Sequence, residues 1–394
     1  MDRGGLQTAP DFPWLTWAEI DLDAIAHNVR AIQAHVGPDT AIIAVVKANA
    51  YGHGAVPVAR TVLESGATRL AVARLEEGIQ LRQAGITAPI LVMGYTLPAQ
   101  APALVHWDLT PTVNTPEGAQ ALSAAAEAAG RRRAVHVKVD TGMGRYGLLP
   151  DEVVDFVRAL AALPGLTLEG LYTHFAVADL ADKSYTHQQF NRFLEVVQAV
   201  EAAGFSIPLK HAANSAATLD LPETHLDAVR PGLILYGMRP SDEVEPAIPL
   251  RPALTLKSHV ARLRTLPPGS SISYGRTYIT TRPTPVALVP VGYGDGYHRL
   301  ASNRGAVLIR GRRAPILGRV CMDQFVVDVS DIPDAAQDDE VVLIGRQEDE
   351  EITAEEVAGW FETINYEVTT SLLPRVARRY VRSGRVVGEI SLEG

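Results

Sequence analysis

Short apolar runs alternate with amphipathic stretches between about residues 40 and 235, and that rhythm restricts the chain to a parallel-sheet architecture. The runs are Ile42–Val46, Leu70–Ala73, Ile90–Met93, Leu109–Val113, Val135–Val139, Leu168–His174, Leu209–Ala213 and Ala228–Arg230. They are nearly continuous in apolar character, as strands buried on both faces require. Helical spacing fills the intervals, for example Val56–Leu63, Glu117–Ala129, Val153–Leu160 and His187–Ala202. Parallel strands need right-handed crossovers, and eight such units suit a (β/α)₈ barrel better than an open doubly wound sheet.

The pattern changes after about residue 240. Glu245-Pro246, Pro249 and Pro252 read as a linker, and mainly strand-like text follows. Its runs are Leu254–Leu263, Pro285–Val291, Gly305–Arg310, Ala314–Val320, Gln324–Val329 and Glu340–Ile344, with one helix over Ala354–Glu362 behind the N-cap Thr353. A chain of 394 residues exceeds one ordinary core. The expected division is a tail over 1–14, a barrel over 15–240 and a β-rich domain over 241–394. The early strand Thr16–Asp21 is a candidate member of the second domain.

Charge and composition narrow the function classes. Lys+Arg 36 against Asp+Glu 45 leaves a net charge of −9, which disfavours nucleic acid as a partner. No apolar stretch approaches ~20 residues, so no membrane span is expected. Cys321 is the sole cysteine, which excludes an intramolecular disulfide and suits a reducing compartment. Met1–Pro13 lacks the apolar core of a secretory signal, so the expected location is cytoplasmic.

Lys47, in Ala44–Gly54, falls at the carboxyl end of a buried strand, where barrel enzymes carry their functional groups. Apolar surroundings favour its neutral amine and imine formation; a strand-end lysine snorkelling to solvent is the competing account. Gly142–Gly147 fits G-x-G-x-x-G, but Leu148-Leu149-Pro150 separates it from any helix, against a dinucleotide site. Asp140-Thr141-Gly142 has no second copy, as a paired-carboxylate protease would need. His174, His211 and His225 lie near strand ends without metal-ligand spacing and read as polar residues of a barrel mouth. The Gly- and Tyr-rich segments Ser273–Arg276 and Gly292–Tyr297 read by themselves as hairpin loops with exposed aromatics, with a phenolic acid or base as the competing account.

Taken together, these segments resemble the alanine racemases, pyridoxal-phosphate (PLP) enzymes with an N-terminal (β/α)₈ barrel and a C-terminal, mainly β domain. The resemblance runs from Trp17-Ala18-Glu19-Ile20-Asp21 to Pro374-Arg375-Val376. It passes through Ala44–Gly54, Lys138–Arg145, Thr173–Ala176, Ala213–Ser215, Arg230–Gly232 and Ile364–Glu367.

The resemblance implies that Lys47 holds PLP and acts as one catalytic base, with Tyr274 as the other. Arg230 would face the pyridine nitrogen, and His174 would pack by the ring and link to Arg230. Tyr51, Ser215, Gly232 and Tyr366 would receive the phosphate, with Asn214 close by. Arg145 would lie near the Tyr274 phenolic oxygen and the substrate carboxylate, and Tyr293, Met322 and Asp323 would line the substrate entrance or bind that carboxylate. Lys138 occupies a position often carbamylated in the family. The implied assembly is a homodimer with composite sites, the implied substrates are L- and D-alanine, and the implied role is D-alanine supply for peptidoglycan. A racemase of broader specificity and a non-catalytic PLP-binding homeostasis protein are the alternatives. The β domain bearing Tyr274 speaks against the latter, and Arg230 opposes a fold-sharing decarboxylase.

Overall fold

The computed structural model describes residues 14–244 and 247–391. The tail expected over 1–14, apart from Trp14, lies outside the described residues, as do Glu245-Pro246 of the expected linker. One compact unit contains the described residues up to Ala24, Tyr51–Gly54 and those from Pro252 onward; the other contains Ile25–Ala50 and Ala55–Arg251.

Strand β1 (Thr16–Asp21) precedes eight short strands: β2 (Ala41–Val45), β3 (Arg69–Val72), β4 (Ile90–Val92), β5 (Thr110–Pro111), β6 (Arg133–Lys138), β7 (Leu166–Tyr172), β8 (Leu209–His211) and β9 (Ala228–Val229). All ladders among β2–β9 are parallel, in the order β5-β4-β3-β2-β9 and β6-β7-β8. A parallel bridge from Thr112 to His136 joins the two sets. The other seam closes through Asp227 N–H to Lys210 O (3.1 Å) and Arg230 N–H to Ala213 O (2.9 Å). This is the eight-stranded barrel that the alternation predicts.

Burial follows the sequence pattern. Ile42, Ile43 and Ala44 of β2 are inaccessible to solvent, as a strand covered on both faces must be. In the helix Val153–Ala161 the buried residues are Val153, Phe156, Val157 and Leu160, the i, i+3, i+4, i+7 stripe of an amphipathic helix. Pro116 opens the helix Pro116–Ala128, and Thr115 caps it by accepting from Gly118 N–H at 3.1 Å. One irregularity stands out in the barrel. Val135 pairs with Leu168 but His136 pairs with Gly170, so Glu169 is an extra residue in β7.

In the other unit, β1 lies between antiparallel β10 (Leu254–His259) and parallel Ala377–Arg382. The single strand expected over Leu254–Leu263 is instead two, β10 and β11 (Arg262–Leu266). The division arises because the chain changes partners: β10 pairs with β1 and Glu340–Gln347, whereas β11 pairs with Thr284–Val289. At the break, Val260 N–H reaches Asp339 O (2.9 Å) and Ala261 N–H reaches Leu288 O (2.8 Å). A short hairpin, β12 (Ser271–Ile272) and β13 (Tyr278–Ile279), carries the Tyr274 segment. No helix among the described residues is long and apolar enough to cross a membrane.

Candidate active site

The carboxyl ends of the barrel strands gather most of the residues singled out above, because parallel strands deliver their following loops to one rim. Lys47 follows β2, Lys138 ends β6, and His174 follows β7. His211 ends β8, ahead of Asn214 and Ser215; Arg230 and Gly232 follow β9. From Lys47 the backbone enters a left-handed turn, with φ of 52°, 53° and 53° at Ala48, Asn49 and Ala50. Each such non-glycine residue costs about 1–2 kcal/mol. Local bonds hold the turn: Ala50 N–H to Val46 O (2.9 Å), Ala48 N–H to the Glu77 carboxylate (2.6 Å) and Ala55 N–H to Asn49 Oδ1 (2.8 Å).

The electrostatics of the rim are cationic. Burial lowers the Lys47 pKa, the Arg145 charge lowers it further, and Glu77 opposes the shift only in part. Lys138 is buried and falls to about 8, through burial first and then the charges of Arg145 and Arg230. Beside it, Asn114 Oδ1 accepts from Lys138 N–H at 3.0 Å, while Asn114 Nδ2 is a buried donor with no hydrogen-bond partner. The Gly142–Gly147 loop is explained by Asp140, whose carboxylate accepts from Gly142, Gly144 and Arg145 N–H, each at 3.0 Å. It is a loop anchor that leads into Arg145.

Arg230 is 3% exposed and fixed by four bonds from its two terminal nitrogens. Nη1 donates to His211 Nδ1 (2.7 Å) and His211 O (3.0 Å); Nη2 donates to Thr173 O (2.6 Å) and Ala212 O (3.0 Å). Its Nε–H makes no hydrogen bond among the described residues and stays available to a ligand acceptor. The expected link from His174 to Arg230 is therefore corrected: the histidine that bonds Arg230 is His211. His174 feels Arg230 only as a nearby charge, which adds to burial in holding its pKa well below the usual value. Ser215 Oγ accepts from Gly232 N–H at 2.9 Å, which places a hydroxyl beside a backbone amide. Asn214 caps the helix that follows by accepting from Ala217 N–H at 3.1 Å.

In the β-rich unit, Tyr51 and Tyr366 approach each other with ring centroids 6.1 Å apart. Gly52 makes this approach feasible, since a Cβ there would lie 2.0 Å from Thr369 O. Tyr274, Tyr293, Met322 and Asp323 form a second group. Tyr293 N–H bonds Cys321 O (3.1 Å) and Gly294 N–H bonds Met322 O (2.8 Å). Ser273 Oγ ties the Tyr274 turn to Arg319 O at 2.6 Å. Sequence reasoning missed Arg375, which grips buried Asp295 with two nitrogens (2.6 and 2.9 Å) and Asp323 with the third (2.8 Å). Tyr274 is 73% exposed, Met322 53% and Tyr293 40%.

The N-terminal domain model of alanine racemase matches residues 20–240, and the C-terminal domain model matches 253–380. This chain belongs to the alanine racemase family. It is 49% identical over 365 residues to the alanine racemase of Halothermothrix orenii, covering 93% of this chain and 96% of that one. The alanine racemase structure from Clostridium difficile 630 superposes with a TM-score of 0.92 at 42% identity, covering 97% of this chain and 99% of that chain. The Bacillus anthracis alanine racemase structure, solved with bound L-Ala-P, gives 0.91 at 43% identity, covering 97% and 98%.

Family members are PLP-dependent isomerases, and the rim suits such a group. PLP is an anionic aldehyde with a ring acceptor. Here an amine with a lowered pKa, several cationic groups, a hydroxyl beside an amide, and the free Arg230 Nε–H converge at the ends of neighbouring strands.

Proposed function

We propose that this chain interconverts L- and D-alanine with PLP, using Lys47 and Tyr274 as its two proton-transfer groups. When bound, the cofactor supplies the electron sink that makes the substrate α-proton acidic. The Lys47 amine, favoured in its neutral form by burial, anchors the cofactor and moves a proton at Nζ. Inversion requires a second group on the opposite face, and the Tyr274 hydroxyl takes that role. Arg230 offers Nε–H to the ring nitrogen and keeps its own proton, so that nitrogen stays unprotonated. His174 packs beside the ring. Ser215, the Gly232 amide, Tyr51 and Tyr366 receive the phosphate, with Asn214 close by. Arg145 meets the substrate carboxylate near the phenol, and Tyr293, Met322 and Asp323 line the entrance or bind that carboxylate.

The observation that carries this reading is the pairing of a partly desolvated lysine with a buried arginine that has one donor left. The exposure of Tyr274, Met322 and Tyr293 as a group supports a homodimer in which the second copy supplies them. Division of the chain near residue 240 into a cofactor barrel and a β domain, a cytoplasmic location and a role in D-alanine supply belong to the same proposal. The test is a chiral assay from L- and from D-alanine, then serine and lysine, with and without added PLP. Both alanine enantiomers should converge on one mixture; no interconversion by the PLP-loaded protein overturns the proposal.

A further inference from the structure

A chain of buried polar groups crosses the barrel interior behind Arg230. His211 Nε2 lies 2.9 Å from His136 Nδ1, and His136 Nε2 lies 3.1 Å from a Glu169 oxygen. The other Glu169 oxygen accepts from Arg69 at 2.8 Å. Both imidazoles are fully buried.

Hydrogen-bond polarity fixes every proton in this chain. Arg230 is only a donor, so its bond to His211 Nδ1 forms only while that nitrogen carries no proton. A neutral His211 then carries its proton on Nε2 and donates to His136 Nδ1. His136 in turn carries its proton on Nε2 and donates to Glu169, which as a carboxylate only accepts. Burial depresses both histidine pKa values, that of His211 strongly, so neutral rings are the stable forms. The bond from His136 and the contact with Arg69 hold Glu169 down to about 2 against its burial.

The backbone is shaped for this path. Glu169 is the extra residue of the β6–β7 ladder, and a bulge of this kind re-aims a side chain. The next residue, Gly170, leaves room for the His136 ring: a Cβ there would lie 2.6 Å from both Cε1 and Nδ1. His211 also stacks on Tyr172 at 4.8 Å and 6°.

We infer that Glu169 and His136 are positioning residues that hold His211 in its Nε2–H tautomer, and thereby hold the Arg230 guanidinium in its working orientation. The ring states follow from this chain's own bonds, whereas their effect on turnover rests on the proposed role of Arg230.

The experiment is long-range ¹⁵N–¹H correlation of imidazole-labelled holoenzyme, with His136 and His211 assigned by substitution. The wild-type spectrum should show both rings neutral and protonated on Nε2 at pH 7–8. A proton on Nδ1 of either neutral ring, or a charged ring, overturns the inference without any variant. Glu169→Leu should give His211 mixed tautomers and lower kcat about tenfold, the effect of one lost buried hydrogen bond. Arg69→Met keeps the Glu169 acceptor and should leave the His211 tautomer unchanged. Gly170→Ala should reproduce the Glu169→Leu spectrum by displacing His136. An unchanged His211 spectrum in both Glu169→Leu and Gly170→Ala refutes the relay. Altered tautomers with unchanged kcat refute its link to catalysis, while an inactive wild type with the expected tautomers refutes the racemase reading alone.

Discussion

Lys47 and Tyr274, the two proposed proton-transfer groups, occupy opposite environments. Lys47 sits at a strand end that its own barrel finishes: a strained turn fixes its backbone, burial and Arg145 lower its pKa, and the chain around it supplies further cations. Tyr274 sits on a turn between two-residue strands and is 73% exposed. Its backbone is no less specified, since Ser273 and Gly275 take φ of 62° and 73°, and Ser273 Oγ bonds Arg319 O. What differs is the surroundings of the side chain. A barrel rim prepares its amine within one subunit, whereas the phenol is presented outward, as a group completed by a second copy would be.

The largest expected effect comes from the prepared side. Lys47→Ala should lower racemisation more than about 10⁴-fold, because it removes both the cofactor anchor and one base. Loss of the visible absorbance and of the borohydride-reducible link checks it; a surviving reducible adduct would reject Lys47 as the anchor. Tyr274→Phe should keep the cofactor but lower turnover by about 10²–10⁴-fold. Deuterium wash-in should become unequal between L- and D-alanine, and equal, unchanged wash-in from both removes Tyr274 from its role.

Mixing these two inactive variants sharpens the contrast. If sites are composite, each mixed dimer has one site with both native groups and one with neither. Half of the dimers are mixed after random exchange of equal amounts, so about a quarter of wild-type activity should return. No recovery after exchange verified by mass would place both groups of a site in the same subunit.

The barrel was legible because fully buried parallel strands write themselves as apolar runs, and the gathering of the motif residues at one rim because the loops after those strands carry them. The division at Val260–Ala261 was not, since a change of hydrogen-bond partner leaves no gap in an apolar pattern. The role of His211 escaped for a different reason. His174 and His211 both fall at strand ends, and only the side-chain geometry distinguishes the one that bonds Arg230. His136 and Glu169 were harder still, because a bulge shifts the register that alternation counting assumes. His136 and Lys138, two apart in Val135–Val139, do carry a readable signal: two polar groups share one face of an otherwise apolar strand.

Lys138 gives the smallest expected effect and tests how far the rim's preparation extends. With its pKa near 8 in the folded chain against an ordinary 10.5, the unfolded chain binds the extra proton between those values. This group therefore costs stability while charged, and stability should rise with pH from about 8 to about 10.5. Lys138→Met should flatten that rise, as urea unfolding at several pH values would reveal. The neutral amine is also the form that captures carbon dioxide, so ¹³C-bicarbonate labelling at this residue should increase as pH passes through about 8. The resulting anion would stand beside the unpartnered Asn114 Nδ2 and within the field of Arg145. Lys138→Met should then lower kcat about tenfold by loosening Arg145, with a smaller loss for Asn114→Ala. Labelling that is flat with pH, or that persists in Lys138→Met, would leave Lys138 as a plain buried cation. Preparation of the rim would then end at Lys47 and Arg230.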